Sequence, residues 1–83
     1  MIKTKPQILQ EGQSARRLLE DTDLTLFLDE IDQVSWGEFK TTAPNDIAGR
    51  EAIYARLKGV ELVRQHLKIA VDNATLEKKS SKE

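Results

Sequence analysis

Residues 47–76, IAGREAIYARLKGVELVRQHLKIAVDNATL, decide how this chain is read. Two apolar rows run through the stretch at helical spacing. Ile53, Leu57, Val60, Arg64, Leu67, Val71 and Ala74 alternate steps of four and three, which puts them on one face of a helix, with an arginine in a core-like slot. Ala48, Ala55, Leu62, Ile69 and Leu76 recur every seventh residue. At about 100° per residue the second row lies on a different side of the same helix, with Ala52, Val63 and Ala70 partly filling the arc between them. A helix apolar over more than half its circumference is normally buried on more than one side. In a chain of 83 residues, part of that burial is expected from another copy or a partner. The spacing leaves open which row faces inward.

Working outward, Thr41-Thr42-Ala43-Pro44-Asn45-Asp46 is the clearest punctuation. Proline disfavours helical geometry in the residue before it, and Asn45 or Asp46 can cap the helix that follows, here read as 47–75. Gly49 and Gly59 lie inside that helix without breaking its pattern, as sites of close helix approach. Upstream, residues 23–40 carry Leu24, Phe27, Leu28, Ile31, Val34, Ser35 and Phe39 along one face, with Leu26 and Trp36 off it. Thr22 or Asp23 is the expected N-cap. Ile8, Leu9, Gly12, Ala15, Leu18 and Leu19 predict a first helix over 7–20, frayed around Gly12, which costs about 1 kcal/mol relative to alanine. Residues 1–6 and 77–83 read as flexible tails around a single helical domain.

Charge supports pairing of the last two helices. Residues 21–40 hold six acids and one base, whereas 47–72 hold five bases and three acids. A short loop forces them antiparallel, and the fold class that follows is all-α: an antiparallel helical hairpin with a shorter N-terminal helix, associating into an oligomeric bundle. Oligomerisation is also the stabiliser that composition leaves open, since a chain this small has a thin core and no cysteine for disulfides.

Several functions are excluded on the same grounds. One histidine and no cysteine remove most metal and acid–base chemistry, and there is no glycine-rich phosphate loop, nucleophile–base pair or redox motif. The expectation is a non-enzyme with no catalytic residue, no cofactor and no metal. A net charge of −1 and an acidic middle argue against nucleic acid. Apolar runs of a few residues fall far short of the roughly 20 that cross a bilayer. Residues 1–10 lack the apolar core of a secretory signal, which with the missing cysteine points to the cytoplasm.

Among individual residues, Arg64 has two readings. It is an anion- or partner-binding guanidinium, with Tyr54 as a second ligand contact, or it pairs with an acid on the 23–40 helix or snorkels at the edge of the row. His66 reads as a surface residue, and Asp29-Glu30-Asp32 as a solvated face lacking the glycine and ligand spacing of a calcium loop. Trp36, Phe39 and Tyr54 either line a small pocket near the loop or pack the end of the hairpin. The basic termini, Lys3, Lys5, Arg16 and Arg17 at one end and Lys78, Lys79 and Lys82 at the other, lack interleaved aromatics.

The stretch from Trp36 to Leu76, with its Thr-Ala-Pro-Asn-Asp loop, Gly49-Arg50-Glu51 and the run Arg56–Arg64, resembles small uncharacterised helical proteins of tailed bacteriophages and prophages, as does Ala15–Leu19. The resemblance implies a viral or prophage origin, and a place in the bacterial cytoplasm or on the virion. It transfers no site residue. The leading expectation is therefore a non-enzymatic phage interaction protein that self-associates and acts in particle assembly or on a host protein. Its interface would be Ala48, Ala55, Leu62, Ile69 and Leu76, with Trp36. The rivals are an oligomeric sponge for a nucleotide immune signal, or another host-defence inhibitor, built around Arg64, Tyr54 and Trp36 near a subunit junction, and a nucleic-acid-binding regulator using the basic termini.

Overall fold

A computed structural model describes residues 2–81, which form three helices and, among the described residues, no strand: α1 Lys5–Glu20, α2 Thr22–Lys40 and α3 Ile47–Ser81. Each boundary has a local cause. Thr4 caps α1 by a reciprocal pair of bonds, its hydroxyl accepting from the Gln7 amide at 3.3 Å while the Gln7 side chain accepts from the Thr4 amide at 2.8 Å. Pro6 sits in the first turn, where its missing N–H costs nothing. The helix thus begins inside the stretch read as a tail. Asp21, rather than Thr22 or Asp23, caps α2, its extended backbone ending α1 and its carboxylate accepting from the Leu24 amide at 3.1 Å. Asp46 accepts from the Gly49 amide at 3.0 Å and starts α3.

At its far end α3 continues through Ser81, past the expected stop at 75. No glycine or proline lies between Leu76 and Ser81, and Lys78 and Lys79 in the last turn suit the negative end of the helix dipole. Residues 82 and 83, the rest of the expected C-terminal tail, lie outside the described residues, as does Met1.

The contacts on α3 fall in reverse order along the chain. Gly12 of α1 lies against Ala70 and Ala74. Leu18, Leu19, Leu24 and Leu28 gather with Arg64 and Leu67 where α1 hands over to α2. Farther along α2, Asp29 and Asp32 meet Arg64, and Ser35 and Glu38 meet Arg56. One long helix is therefore lined by two shorter ones in succession. The molecule measures 58 × 27 × 18 Å, close to the roughly 52 Å expected of a 35-residue helix alone. Its radius of gyration is 17.4 Å, against about 12 Å for a compact chain of this length.

An elongated shape leaves little interior. The buried apolar side chains are Ala15, Ile53, Val60 and Ala74, and three of the four belong to the first row of α3. Leu57, Arg64, Leu67 and Val71 of that row are half-buried. The question the spacing left open is answered: the first row faces α1 and α2.

Gly12 corrects another expectation. It marks a close approach of α1 to α3, because a Cβ there would collide with that of Ala74 and sit 3.2 Å from the Ala70 carbonyl oxygen. Glycine at this position costs helix propensity and permits the contact. The two α3 glycines do not serve that purpose within the chain. A Cβ at Gly49 would run into the capping Asp46 carboxylate, and one at Gly59 would meet nothing within 4 Å.

Candidate functional site

The surface most in need of explanation is the back of α3. Leu62, Ile69 and Leu76 are 63%, 53% and 61% exposed, and Ala48 and Ala55 in the same row are exposed too. With Ile53, Val60, Leu67 and Ala74 turned inward, the seven-residue row lies roughly on the opposite side of the helix axis. Neither α1 nor α2 can cover it from where they lie.

Polar groups flank this row on one side at positions 51, 58, 65, 72 and 79, which hold Glu, Lys, Gln, Asp and Lys. Lys58 donates to Glu61 at 3.1 Å and lies 5.6 Å from the Tyr54 ring centroid. Its hydrogen bond to the Glu61 carboxylate, and then the charge of that carboxylate, raise its pKa above the ordinary lysine value. Glu51 and Asp72 make no ion pair with any described residue of their own chain. On the other flank Gly59 and Ala52 leave the helix surface low.

A second apolar patch lies on α2. The face expected there splits in two. Leu24, Leu28 and Phe39 turn toward the rest of the molecule and Ser35 is fully buried, while Phe27, Ile31 and Val34 remain 64%, 40% and 55% exposed. Ile31, Val34 and Glu30 rim a shallow depression floored by Ser35 and Arg56. Ser35 tolerates burial because its hydroxyl accepts from Arg56 Nε at 2.9 Å, and Arg56 also holds Glu38. This three-residue contact was not anticipated. Arg56 belongs to neither apolar row and gives no sequence signal, although a serine among large apolar residues does.

Arg64 takes the second of its two readings. Its two terminal nitrogens donate to Asp32 at 2.7 Å and Asp29 at 2.9 Å, and its side chain is only 30% exposed. Two carboxylates already occupy the fork that an external anion would need. Tyr54 lies ten residues, or about 15 Å, farther along α3 and is 58% exposed, so the two do not form one ligand site. Tyr54 shares a shallow depression near the loop with Phe39, Ile47, Arg50 and Glu51. Trp36 is absent from that lining. It stands half-exposed on α2 with its ring edge-on to Phe39, centroids 5.6 Å apart at 76°, and on a different helix from the Leu62 row.

His66 is exposed. Asp29 and Asp32 serve Arg64, and among the described residues no three His, Cys, Asp or Glu side chains gather as a metal site would require. No helix among the described residues is long and apolar enough to cross a membrane. No family model, no curated protein and no solved structure matches the chain.

Proposed function

We propose that this chain is a non-enzymatic helical interaction protein that works as a self-associated bundle. Its helices form an antiparallel hairpin, α3 against α1 and α2 in turn, and copies join through the back of α3. The observation that carries the reading is the aligned row Leu62, Ile69 and Leu76, each more than half exposed on a continuous helix. Covering what remains open of these three side chains is worth about 1 kcal/mol each, and a symmetric contact counts them twice. That gain stands against the entropy of association, and Phe27, Ile31 and Val34 supply a further apolar surface for a different partner.

A role in particle assembly or in binding a host protein, within a bacterial cell or on a virion, rests on the resemblance read from the sequence of Trp36–Leu76 alone. The engaged Arg64 fork removes the main support for a nucleotide sponge. Sedimentation velocity at micromolar concentration tests the reading. A dimer or larger species whose melting temperature rises with concentration is expected, and a monomer with a sharp, concentration-independent transition overturns it.

A further inference from the structure

The charges beside the Leu62 row are arranged so that the row recognises itself. We infer that two copies of this chain pack α3 against α3 in antiparallel orientation, with the twofold axis at Gln65. The inference rests on self-association through this row and adds the occupant, its direction and its register.

Three observations carry it. Counting from Gln65, Lys58 and Asp72 stand seven residues away on either side, and Glu51 and Lys79 stand fourteen away. In an antiparallel pair centred there, residues equally far before and after the centre lie level. Lys58 then meets Asp72 of the second copy, Glu51 meets Lys79 of the second copy, and Gln65 meets its own symmetry mate. Every charge on this flank finds its opposite, and the neutral residue sits on the axis. A parallel pair would instead turn this flank toward the Ala52–Gly59 flank of the second copy and leave its charges unanswered.

The apolar row agrees with the same register. Leu62 is three residues before the axis and Ile69 four after, so they lie within one residue's rise, about 1.5 Å, of each other across the contact. Ala55 and Leu76, ten before and eleven after, pair small against large in the same way. The strict seven-residue repeat drifts by about 20° per heptad on a straight helix, so a gentle left-handed supercoil keeps the outer pairs in reach while the central Lys58–Asp72 pairs need none.

Third, the chain leaves these groups available. Asp72 and Glu51 have no ion-pair partner within the described residues, Lys58 is half-exposed with Glu61 as its ion-pair partner, and α3 runs far enough to make Lys79 helical. Gly59 sits mid-helix with open space where its Cβ would be, so nothing in its own chain calls for glycine. On its flank, the one opposite the charges, a second helix has room to pass closely.

Charge reversal separates register from mere association. Lys58→Glu or Asp72→Lys alone turns two symmetric attractions into two repulsions and is expected to raise the dimer dissociation constant about tenfold at low salt, with the double variant returning close to the starting value. Both sites are exposed, so circular dichroism should show unchanged helix content. Because the chain has no cysteine, Gln65→Cys introduces a single thiol, which a short bismaleimide should convert to a covalent dimer far more efficiently than Glu30→Cys on α2. Rescue by the double variant together with Gln65 cross-linking supports the register. A dimer that shows neither overturns the register and leaves self-association standing. A chain that stays monomeric up to about 100 µM overturns both, and assigns the row to a partner of another kind.

Discussion

Replacing Gly12 with alanine asks whether the α1–α3 contact is as close as the structure makes it. In an isolated helix the change gains about 1 kcal/mol, because glycine is the costlier residue in a helix interior. Here the new methyl would collide with the Ala74 Cβ and crowd the Ala70 carbonyl oxygen at 3.2 Å. Both obstacles belong to helix backbone or to a side chain too short to rotate away, so α1 must shift as a body. Overpacking of this kind costs about 1–3 kcal/mol, which outweighs the propensity gain. The expected result is a net loss of about 1 kcal/mol, or roughly 4–8 °C in melting temperature for a chain of this size. Gly37→Ala is the matched control, since a Cβ at Gly37 meets nothing within 4 Å and the substitution should stabilise by about 0.5–1 kcal/mol. Both variants are melted by circular dichroism at one fixed protein concentration, so that association does not confound the comparison. If Gly12→Ala stabilises as much as Gly37→Ala, the close approach is wrong. Ala74→Gly in the Gly12→Ala background provides the coupling, and it should recover most of the steric loss.

Other perturbations follow from the same contacts. Arg64→Ala leaves Asp29 and Asp32 facing one another without their cation and should cost about 1 kcal/mol in urea titration, a difference that shrinks in 1 M salt because the pair is partly exposed. Arg64→Lys should recover only part of it, since one ammonium cannot present the two-pronged fork. Leu62→Glu should lower the mass measured by light scattering to that of one chain while helix content is kept; an unchanged mass would place the interface elsewhere. Thr4→Ala removes the reciprocal cap of α1 and should cost about 1 kcal/mol, seen as faster amide exchange in the first turns of α1 with α3 unaffected.

What the sequence conveys here depends on the range over which each feature acts. The long helix, the loop from Thr41 to Asp46 and the existence of two rows on α3 follow from periodicity and punctuation, both local. Which row turns inward is not local: it depends on where α1 and α2 lie, and the two rows look alike in isolation. Arg64 was readable as a partner of the acidic helix because one cation interrupts an apolar row opposite a cluster of carboxylates. Gly12 was misread for the opposite reason. Its helix cost is intrinsic and visible in the chain, whereas its compensation, an alanine more than sixty residues away, exists only in the folded molecule. The Thr4–Gln7 cap is a missed local signal, since threonine followed three residues later by glutamine, with proline between, marks a helix start. The candidate interface was legible as a row but not as a surface, because exposure is a property of three helices together.

The polar clasps between α2 and α3 have a consequence for alignment. Greasy helix faces slide past one another at small expense, and nothing in a strip of leucine and valine forbids displacement by one turn, about 5.4 Å. Such a displacement would strip Arg56 from Ser35 and Glu38, and Arg64 from Asp29 and Asp32, all at once, and would strand a hydroxyl in a dry place. Cohesion and addressing are thus divided between different side chains. Trading one aliphatic residue for another along the seam should loosen the packing without changing its setting, whereas neutralising the clasps should yield helices that still cohere but in no single alignment.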